Sequence, residues 1–298
     1  MNRRHILPWG FLLSFAILLS SCIQQKSPTI EDNSTQSTAS TSVATVPDDT
    51  EATPVFIYQS MDYHYKTDVT DILSILTTNL DPAYLLLVNR EHPLDSEFAP
   101  QQLTEEITCP TYRDKKISLE SRVAIALYTM LAEMEADGVT DIAVTSGYRS
   151  YEYQEQLHRQ YINSEKSGIS PEAYAYFGPD YIQKNYIDQG LTRLTEEDAL
   201  QVVQSYSAIP GASEHQSGLC VDFVTSNAML SESFENTDAF QWLYQNAYRF
   251  GFILRYPSDK TQKTGFSYEP WHFRFVGREA ATELYFRNLT LEELSEIF

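Results

Sequence analysis

An apolar run with a single carboxylate inside it constrains the fold of this chain more than any other feature. Residues 219–224 read Leu-Cys-Val-Asp-Phe-Val, and a strand over this run would bury Asp222 among hydrophobic side chains. Burial of a carboxylate is costly unless hydrogen-bond donors or a cation compensate its charge. A metal ion is one such partner, and further metal-binding side chains near this strand would support that interpretation of Asp222.

Two of the six histidines in the chain are positioned to meet Asp222. His215 precedes it by seven residues, and a turn at Gly218 can fold both side chains toward one point. His272 belongs to a second strand-like segment, and Glu269 lies three residues before it. A catalytic zinc site uses three nitrogen or oxygen ligands and leaves one position open, and a carboxylate outside the ligand set can act as general base. The two histidines and Asp222 are therefore candidate ligands, and Glu269 is a candidate base.

Three segments of the chain together match the signatures of a known enzyme family. Residues 213–222 (SEHQSGLCVD) and 269–272 (EPWH) resemble the S-x-H-x-x-G-x-x-x-D and E-x-W-H motifs of the VanY-type D-alanyl-D-alanine carboxypeptidases and their LD-carboxypeptidase relatives. Residues 146–150 (SGYRS) match the S-G-x-R-S segment of the same family. The resemblance covers roughly residues 83–287. These relatives are zinc enzymes that trim the stem peptides of the bacterial cell wall.

The resemblance implies a zinc-dependent carboxypeptidase that removes the C-terminal D-alanine from peptidoglycan stem peptides. It implies one Zn²⁺ per chain, held by His215, Asp222 and His272, and a water activated at the zinc that attacks the scissile carbonyl. Glu269 would deprotonate this water as general base and then protonate the leaving amine. DD-cleavage of a pentapeptide is the favoured specificity, with LD-cleavage of a tetrapeptide a close second.

Arg149 follows a predicted strand directly, in a turn that contains glycine. Its guanidinium could hold the carboxylate of the peptide or stabilise the developing oxyanion. The family assigns the matching arginine to substrate or transition-state binding, and both roles stay open here. Tyr148, Gln154 and Ser213 are neighbours that we predict at the rim of the substrate site.

Other functions are weighed against this one. A catalytically inactive, zinc-containing module that binds the cell wall is the alternative, and the presence of both Glu269 and Arg149 disfavours it. A serine-type carboxypeptidase is excluded, because the chain contains neither S-x-x-K nor G-x-S-x-G. The formal net charge of −20 disfavours nucleic acid as a partner.

The first 54 residues have the composition of export and anchoring segments. Residues 1–21 combine two arginines, an apolar stretch and small residues before Cys22, which predicts a lipoprotein signal peptide with Cys22 lipidated. A plain secretory signal is the alternative. Residues 22–54 are rich in Ser and Thr, which predicts a disordered tether. The mature protein is then extracytoplasmic, lipid-anchored to the bacterial cell membrane facing the wall, and by default a monomer.

The rest of the chain divides into a small accessory segment at residues 55–82 and the zinc carboxypeptidase domain at 83–298. Strand-like and helix-like segments do not alternate regularly, so we predict an α+β fold with an antiparallel sheet flanked by helices and the zinc site at the sheet. The resemblance implies the same fold, of the Hedgehog/D-Ala-D-Ala carboxypeptidase-like type. Strands are predicted at 84–88, 142–146, 218–224, 252–256 and 271–276, and helices after the caps Ser118, Ser150 and Asp238.

Three details of this prediction bear on the site. In the last strand, His272 and Arg274 should face one side and the phenylalanines beside them the other. Cys220 is predicted to be a buried structural thiol; a bridge to Cys109 and a metal-ligand role are the alternatives. Residues 163–209 are polar and rich in Tyr. They form either a lid or wall of the substrate site, or a helical surface insertion without a catalytic role.

Overall fold

The computed structural model describes residues 56–77 and 80–297. These residues all belong to one compact unit. The predicted signal peptide, the tether and Cys22 lie outside the described residues. In the part of the chain that the structure describes, no helix is long and apolar enough to cross a membrane.

An antiparallel sheet is the framework of the described residues, and it confirms the predicted α+β class. Its four strands in these residues are β1 (Ala143–Ser146), β2 (Cys220–Val224), β3 (Phe252–Leu254) and β4 (His272–Phe275), in the order β1-β2-β4-β3. Asp222 on β2 pairs with His272 on β4 and, beyond an irregularity in β1, with Ser146. The sheet thus brings the three motif-bearing segments side by side.

Helices and 3-10 turns make up the remaining regular structure of the described residues. The helices are α1 (Leu73–Leu76), α2 (Ser121–Ala136), α3 (Tyr151–Glu165), α4 (Pro171–Phe177), α5 (Pro179–Asn185), α6 (Glu196–Tyr206), α7 (Asp238–Asn246), α8 (Thr261–Thr264) and α9 (Arg278–Arg287). The 3-10 turns lie at Ile57–Ser60, Thr70–Ile72, Tyr112–Asp114, Ile187–Gln189, Glu214–Ser217, Glu232–Asn236, Ala247–Phe250 and Leu291–Glu296.

The caps of three helices were predicted with mixed success. Ser150 caps α3 as predicted, since its Oγ accepts the N–H of the third helical residue at 3.2 Å. Glu120, rather than Ser118, caps α2, and its carboxylate accepts the second and third N–H groups at 2.9 and 3.2 Å. The Ser118 hydroxyl donates instead to a loop carbonyl. Thr237, rather than Asp238, caps α7 through its Oγ1.

One apolar face of α2 packs on the sheet. Four side chains of this face, spaced by three or four residues, are fully buried: Val123, Leu127, Met130 and Met134. They share a hydrophobic cluster with the alternate residues of the two central strands, namely Val221, Phe223, Phe273 and Phe275. Burial of a side chain of this size stabilises a fold by about 1.5–3 kcal/mol. Because β2 turns these residues toward α2, Cys220 and Asp222 face the opposite side of the sheet.

Residues 84–88 do not form a strand, and that prediction was wrong. Tyr84 and Val88 are buried as in a strand, but the backbone runs through a turn and an irregular segment. The carbonyls of Tyr84 and Leu86 accept hydrogen bonds from the guanidinium of Arg274 at 3.1 and 2.7 Å. A side chain therefore satisfies the backbone acceptors that a neighbouring strand would otherwise satisfy.

Residues 163–209 are largely helical, since they contain α4, α5 and α6. These helices bury a small cluster of their own, made of Ala173, Ile182, Tyr186, Leu194, Ala199 and Val202. The helical content agrees with the interpretation of this stretch as a helical insertion. The end of α6 is the part of this stretch that lines a cleft, which is described with the site below.

The described part of the predicted accessory segment, residues 56–77, packs on the same unit. The main-chain N–H groups of Lys66 and Thr67 donate to the buried carboxylate of Glu133 on α2, at 2.7 and 2.9 Å. Leu76 is fully buried in the cluster that joins α2 to the sheet. Hydrogen bonds and apolar packing thus both hold the segment in place. Its boundary at residue 82 stays a prediction.

Candidate metal centre and active site

The 3-10 turn at Glu214–Ser217 carries His215 into the site. It ends at Gly218, whose backbone is left-handed with a φ of 70°. A Cβ there would lie 3.0 Å from a proline side chain and 3.2 Å from the backbone nitrogen of Glu120, so glycine suits both the conformation and the space. The chain then enters β2, and His215 and Asp222 approach each other as the motif spacing predicts.

The carboxylate of Asp222 lies between the imidazoles of His215 and His272. Its Oδ2 is 3.1 Å from Nε2 of His215, and its Oδ1 is 2.8 Å from Nδ1 of His272. All three side chains are buried, and the two rings meet edge to face with centroids 5.1 Å apart. Burial alone would raise the pKa of Asp222, but the two imidazoles hold this pKa well below its usual range.

The outer nitrogen of each imidazole has an oxygen atom near it. Nδ1 of His215 is 2.6 Å from the carbonyl oxygen of Gly147, and Nε2 of His272 is 3.5 Å from Oε2 of Glu214. With a cation among the three side chains, a proton on each outer nitrogen would leave the lone pair of each inner nitrogen free to bind that cation. Two imidazole nitrogens and one carboxylate are a donor set that fits a zinc ion, and hydrogen bonds hold His215 and Asp222 in place.

Cys220 adds a thiol to this cluster. It is buried as predicted, and within the described residues both Cys220 and Cys109 are free, so the bridge considered above is absent there. Donor atoms of His215, Cys220 and His272 lie within 4.8 Å of one another. Burial raises the pKa of the Cys220 thiol, but the neighbouring imidazoles outweigh burial and bring it to about 7. The thiol is therefore a further donor close to the candidate zinc ligands.

Glu269 lies beside this cluster, and its Oε2 is 3.8 Å from Nδ1 of His272. The main-chain N–H of Glu269 donates to the carbonyl of Tyr256 at 3.1 Å, and Pro270 follows it, so the backbone here is fixed. Burial raises the pKa of Glu269 to about 7, although the nearby imidazoles and a guanidinium lower it in part. A carboxyl group with such a pKa can both accept and release a proton near neutral pH.

The guanidinium of Arg149 reaches the same cluster from the end of β1. Its Nη2 donates to Oδ2 of Asp222 at 3.2 Å. Two further hydrogen bonds, both of 3.0 Å, run from Nε to Ser146 Oγ and from Nη1 to Gln154 Oε1. Gln154 is held in turn, since its amide donates to the carbonyl of Ala208 at 2.8 Å. The Arg149 side chain is about one-fifth exposed, at 19%, so it lies at the open side of the site.

The residues predicted at the substrate rim differ in their surroundings. Gln154 is only 1% exposed and lies behind Arg149, so its position favours support of the guanidinium over direct contact with substrate. Ser213 is buried at the start of the turn that carries His215. Tyr148 is half-buried next to Arg149 in the chain.

Sequence reasoning missed a buried charge network behind His272. The carboxylate of Glu214 lies between the guanidiniums of Arg255 and Arg274, and all three side chains are fully buried. Arg255 also makes a two-pronged pair with Glu292 at 2.6 and 2.9 Å. Strand alternation had placed Arg274 on the face of His272 and could have revealed part of the network. No local pattern marks Arg255, because its partners lie 37 and 41 residues away.

An open cleft of about 510 Å³ is lined by the residues that directly precede Glu269. Its walls include the loop at 265–268, Ser205 of α6 and the charged side chains of Arg90 and Glu232. The hydroxyl of Ser267 donates to the carbonyl of Ser205 at 3.1 Å. The end of the helical insertion therefore forms part of the wall of this cleft, and its role as a wall of the substrate site stays a prediction.

Comparison with known proteins identifies the family. Residues 116–278 match the VanY family model, D-alanyl-D-alanine carboxypeptidase. A D-alanyl-D-alanine carboxypeptidase of Enterococcus faecalis (strain ATCC 700802 / V583) is 37% identical over 209 residues. The match covers 70% of this chain and 64% of that relative, so the chain spans slightly less than two thirds of the relative's length.

Two solved structures share the fold over most of the chain. The LdcB LD-carboxypeptidase is 30% identical with a TM-score of 0.56, covering 73% of this chain and 88% of its own. A variant of the VanY D,D-pentapeptidase from a VanB-type resistance cassette, solved in complex with Zn(II), is 33% identical with a TM-score of 0.53, covering 72% and 99%. These matches confirm the resemblance read from the motifs. The chain belongs to the VanY family of D-alanyl-D-alanine carboxypeptidases.

Proposed function

We propose that this protein is a zinc-dependent carboxypeptidase that removes the C-terminal D-alanine from peptidoglycan stem peptides. The observation that carries the proposal is the convergence of His215, Asp222 and His272 beside Glu269 and Arg149. Family membership supports carboxypeptidase chemistry, and the Zn(II) complex of the similar VanY enzyme supports the metal. An inactive wall-binding module is disfavoured, because it would have no use for Glu269 and Arg149 together.

One zinc ion would be held by Nε2 of His215, a carboxylate oxygen of Asp222 and Nδ1 of His272. Zinc bound there supplies Lewis acidity, which lowers the pKa of water to about 7 and polarises a carbonyl group. The chain contributes the orientation of the ligands, because the carbonyl of Gly147 and the carboxylate of Glu214 face the outer imidazole nitrogens.

Glu269 acts as the proton carrier of the reaction. As a carboxylate it accepts a proton from the attacking water, and as a carboxylic acid it delivers that proton to the leaving amine of D-alanine. The raised pKa of Glu269, about 7, suits both halves of this cycle. Its distance of 3.8 Å from His272 Nδ1 keeps it next to the ligands without direct hydrogen bonding to them.

Arg149 binds the negative charge of the substrate. Its guanidinium is held by Ser146 and Gln154, and this leaves a fixed cationic group at the open side of the site. Such a group can pair with the terminal carboxylate of the peptide or with the oxyanion that forms at the scissile carbonyl. The two roles differ in kinetics, because only oxyanion binding acts chiefly on kcat.

DD-cleavage of pentapeptide stems is the favoured specificity, because the family model and the E. faecalis relative are D-alanyl-D-alanine carboxypeptidases. LD-cleavage of tetrapeptide stems is the second candidate, and the similarity to the LdcB LD-carboxypeptidase supports it. The ligands and the base serve either reaction, so the shape of the substrate pocket decides between them.

The location of the enzyme follows from the sequence of its first 54 residues. A lipid on Cys22 and a flexible tether over residues 22–54 would hold the domain outside the cell, within reach of wall peptides. We propose an extracytoplasmic, membrane-anchored monomer. Its partners are then stem peptides and the membrane, to which it is joined by the lipid.

The proposal is tested by the release of free D-alanine. The mature chain is loaded with zinc and given matched pentapeptide and tetrapeptide stems, with and without a chelator and with and without penicillin. Release that the chelator abolishes and penicillin leaves unchanged is the expected result, and the preferred stem then assigns DD or LD specificity. Zinc-loaded protein that binds stems and releases no D-alanine would instead establish the wall-binding module.

A further inference from the structure

Two buried polar atoms behind the site face each other without a formed hydrogen bond. Nε2 of His272 and Oε2 of Glu214 both lack a hydrogen-bond partner among the described residues, and they lie 3.5 Å apart, slightly beyond the length of a good hydrogen bond. We propose that Glu214 is a positioning residue: it accepts the Nε2–H of His272 and so holds the tautomer whose Nδ1 lone pair faces Asp222 and the zinc. This inference rests on the zinc site proposed above.

The orientation of the Glu214 carboxylate is set by two arginines. Its Oε1 accepts hydrogen bonds of 2.8 Å from both Arg255 Nε and Arg274 Nη1. Because Oε1 is fully used, Oε2 is the oxygen left to face His272. The two fully buried guanidiniums compensate the charge of this buried carboxylate, so the group that faces His272 is an anion.

Both arginines are themselves fixed, so the carboxylate has little freedom to turn away. Arg255 is paired with both oxygens of Glu292 in the turn Leu291–Glu296. Arg274 donates to the carbonyls of Tyr84 and Leu86 at 3.1 and 2.7 Å. An acceptor held in this way can select one tautomer of a neighbouring imidazole, because the other tautomer would leave Oε2 buried without a donor.

The two imidazoles of the site are therefore oriented by different means. His215 is oriented by a main-chain carbonyl, that of Gly147, whereas His272 depends on the side chain of Glu214. Glu214 directly precedes His215 in the chain. A single 3-10 turn thus supplies one candidate ligand and the acceptor that orients another ligand 57 residues further along the sequence.

A Glu214→Gln variant separates this role from simple packing. Arg255 and Arg274 can only donate hydrogen bonds, so they would hold the amide oxygen and turn the amide NH₂ toward Nε2 of His272. Two donors would then face each other unless His272 moved its proton to Nδ1, the atom that should bind the metal. Loss of such an outer partner weakens metal binding by about 10–100-fold in comparable sites.

The experiment compares zinc dissociation constants, by competition with a chelator, for the mature wild type, Glu214→Gln and Glu292→Gln. Glu292→Gln is the matched control, since it alters the far side of Arg255 without touching His272. We expect about 10–100-fold weaker zinc binding for Glu214→Gln and a nearly unchanged constant for Glu292→Gln, although both lose thermal stability. Equal zinc affinity in wild type and folded Glu214→Gln, or equal losses in both variants, would overturn the inference.

A spectroscopic measurement on the wild type covers the case in which Glu214→Gln fails to fold. The mature chain, with isotope-labelled histidine, is loaded with NMR-active cadmium as a zinc substitute. We expect scalar coupling of the metal to Nδ1 of His272 and a slowly exchanging proton on its Nε2. Coupling to Nε2 of His272 overturns the inference, while a chain that binds neither zinc nor cadmium refutes the proposed metal site itself.

Discussion

Asp222, which is buried, and Glu269, whose side chain is 17% exposed, are two carboxylates close to His272, yet their surroundings drive their pKa values in opposite directions. Asp222 lies between two imidazoles, which hold its pKa well below the usual range. Glu269 stands further from the imidazole nitrogen, and burial raises its pKa to about 7. This separation of pKa values agrees with the proposed roles, Asp222 as ligand and Glu269 as proton carrier.

Glu269→Gln should abolish most of the activity and leave zinc in place. The amide cannot accept the proton of water, and loss of general acid–base catalysis costs about 10²–10⁴-fold in rate. The measurement is kcat for D-alanine release together with zinc content by elemental analysis. Glu172→Gln, an exposed substitution of the same kind in α4, is the control. A Glu269→Gln enzyme with near wild-type kcat would refute the assigned base.

Arg149→Lys should impair catalysis although the positive charge is retained. A single ammonium cannot reproduce the three hydrogen bonds that Arg149 makes to Asp222, Ser146 and Gln154. We expect kcat/KM to fall by about 10²–10³-fold, the range for loss of an oxyanion donor. A fall confined to kcat assigns the oxyanion role, and a rise confined to KM assigns binding of the substrate carboxylate. An unchanged kcat/KM would show that Arg149 does not take part in substrate binding or catalysis.

At the scale of elements, the buried carboxylate of Glu133 joins α2 to the segment at residues 56–77 and to Arg249. Glu133 on α2 accepts the main-chain N–H groups of Lys66 and Thr67 and the guanidinium of Arg249, at 2.7, 2.9 and 3.2 Å. Its side chain is 2% exposed. Burial raises the pKa of Glu133, but these hydrogen bonds outweigh burial and lower it below the usual value. Glu133 is thus one of the ionised groups that fasten residues 56–77 to the domain.

Glu133→Gln should destabilise the protein in a way that depends on pH. Hydrogen bonds to a buried charged group are each worth about 1.5–3 kcal/mol, so a loss of this size is expected at pH 7. Because the folded-state pKa is lowered, the stability from Glu133 is present above its unfolded pKa of about 4.3 and is lost as pH falls through the folded value.

Urea unfolding of wild type and Glu133→Gln at a series of pH values measures this difference. The difference in unfolding free energy between wild type and Glu133→Gln should reach its full size above a pH of about 5 and should decrease at lower pH. Glu172→Gln, in exposed surface, should show no gap at any pH. A gap for Glu133→Gln that stays constant from neutral to acid pH would contradict the assigned charge state.

At the scale of the whole molecule, the candidate metal centre joins parts of the chain that are far apart in sequence. The ends of β1, β2 and β4 meet there, and the network behind His272 extends to the turn at Leu291–Glu296. An ion that binds only the folded state stabilises the whole unit, by about 2.7 kcal/mol at a free concentration one hundred times its Kd.

Removal of the metal should therefore lower the thermal midpoint of the entire domain. For a domain of this size, about 2.7 kcal/mol corresponds to a shift of about 5–10 °C. Differential scanning calorimetry with chelator, and again after zinc is restored, measures the shift and its reversal. An unchanged midpoint in protein shown to be metal-free would mean that zinc does not bind the folded state tightly.

Much of the fold and most of the site were predictable, because their signals are local. The N-cap at Ser150, the strands around Val144, Val221 and Phe273, and the spacing of His215 to Asp222 all depend on residues near one another in sequence. The caps of α2 and α7 and the segment at 84–88 were mispredicted. At α2 and at 84–88, hydrogen bonds to side chains or loops outweighed the local propensity.

The sequence by itself determined the family, the α+β class and the set of side chains that could hold and serve a zinc ion. Periodicity and motif spacing are properties of residues that are close in sequence, so they can be recognised without knowledge of the fold. Only the tertiary structure decided that Glu214 faces His272, and that Arg274 reaches the carbonyl of Leu86 across 188 positions. The physical reason is that a buried charge needs nearby hydrogen-bond or ionic partners to offset its loss of water. Only the fold brings together groups that are so far apart in sequence.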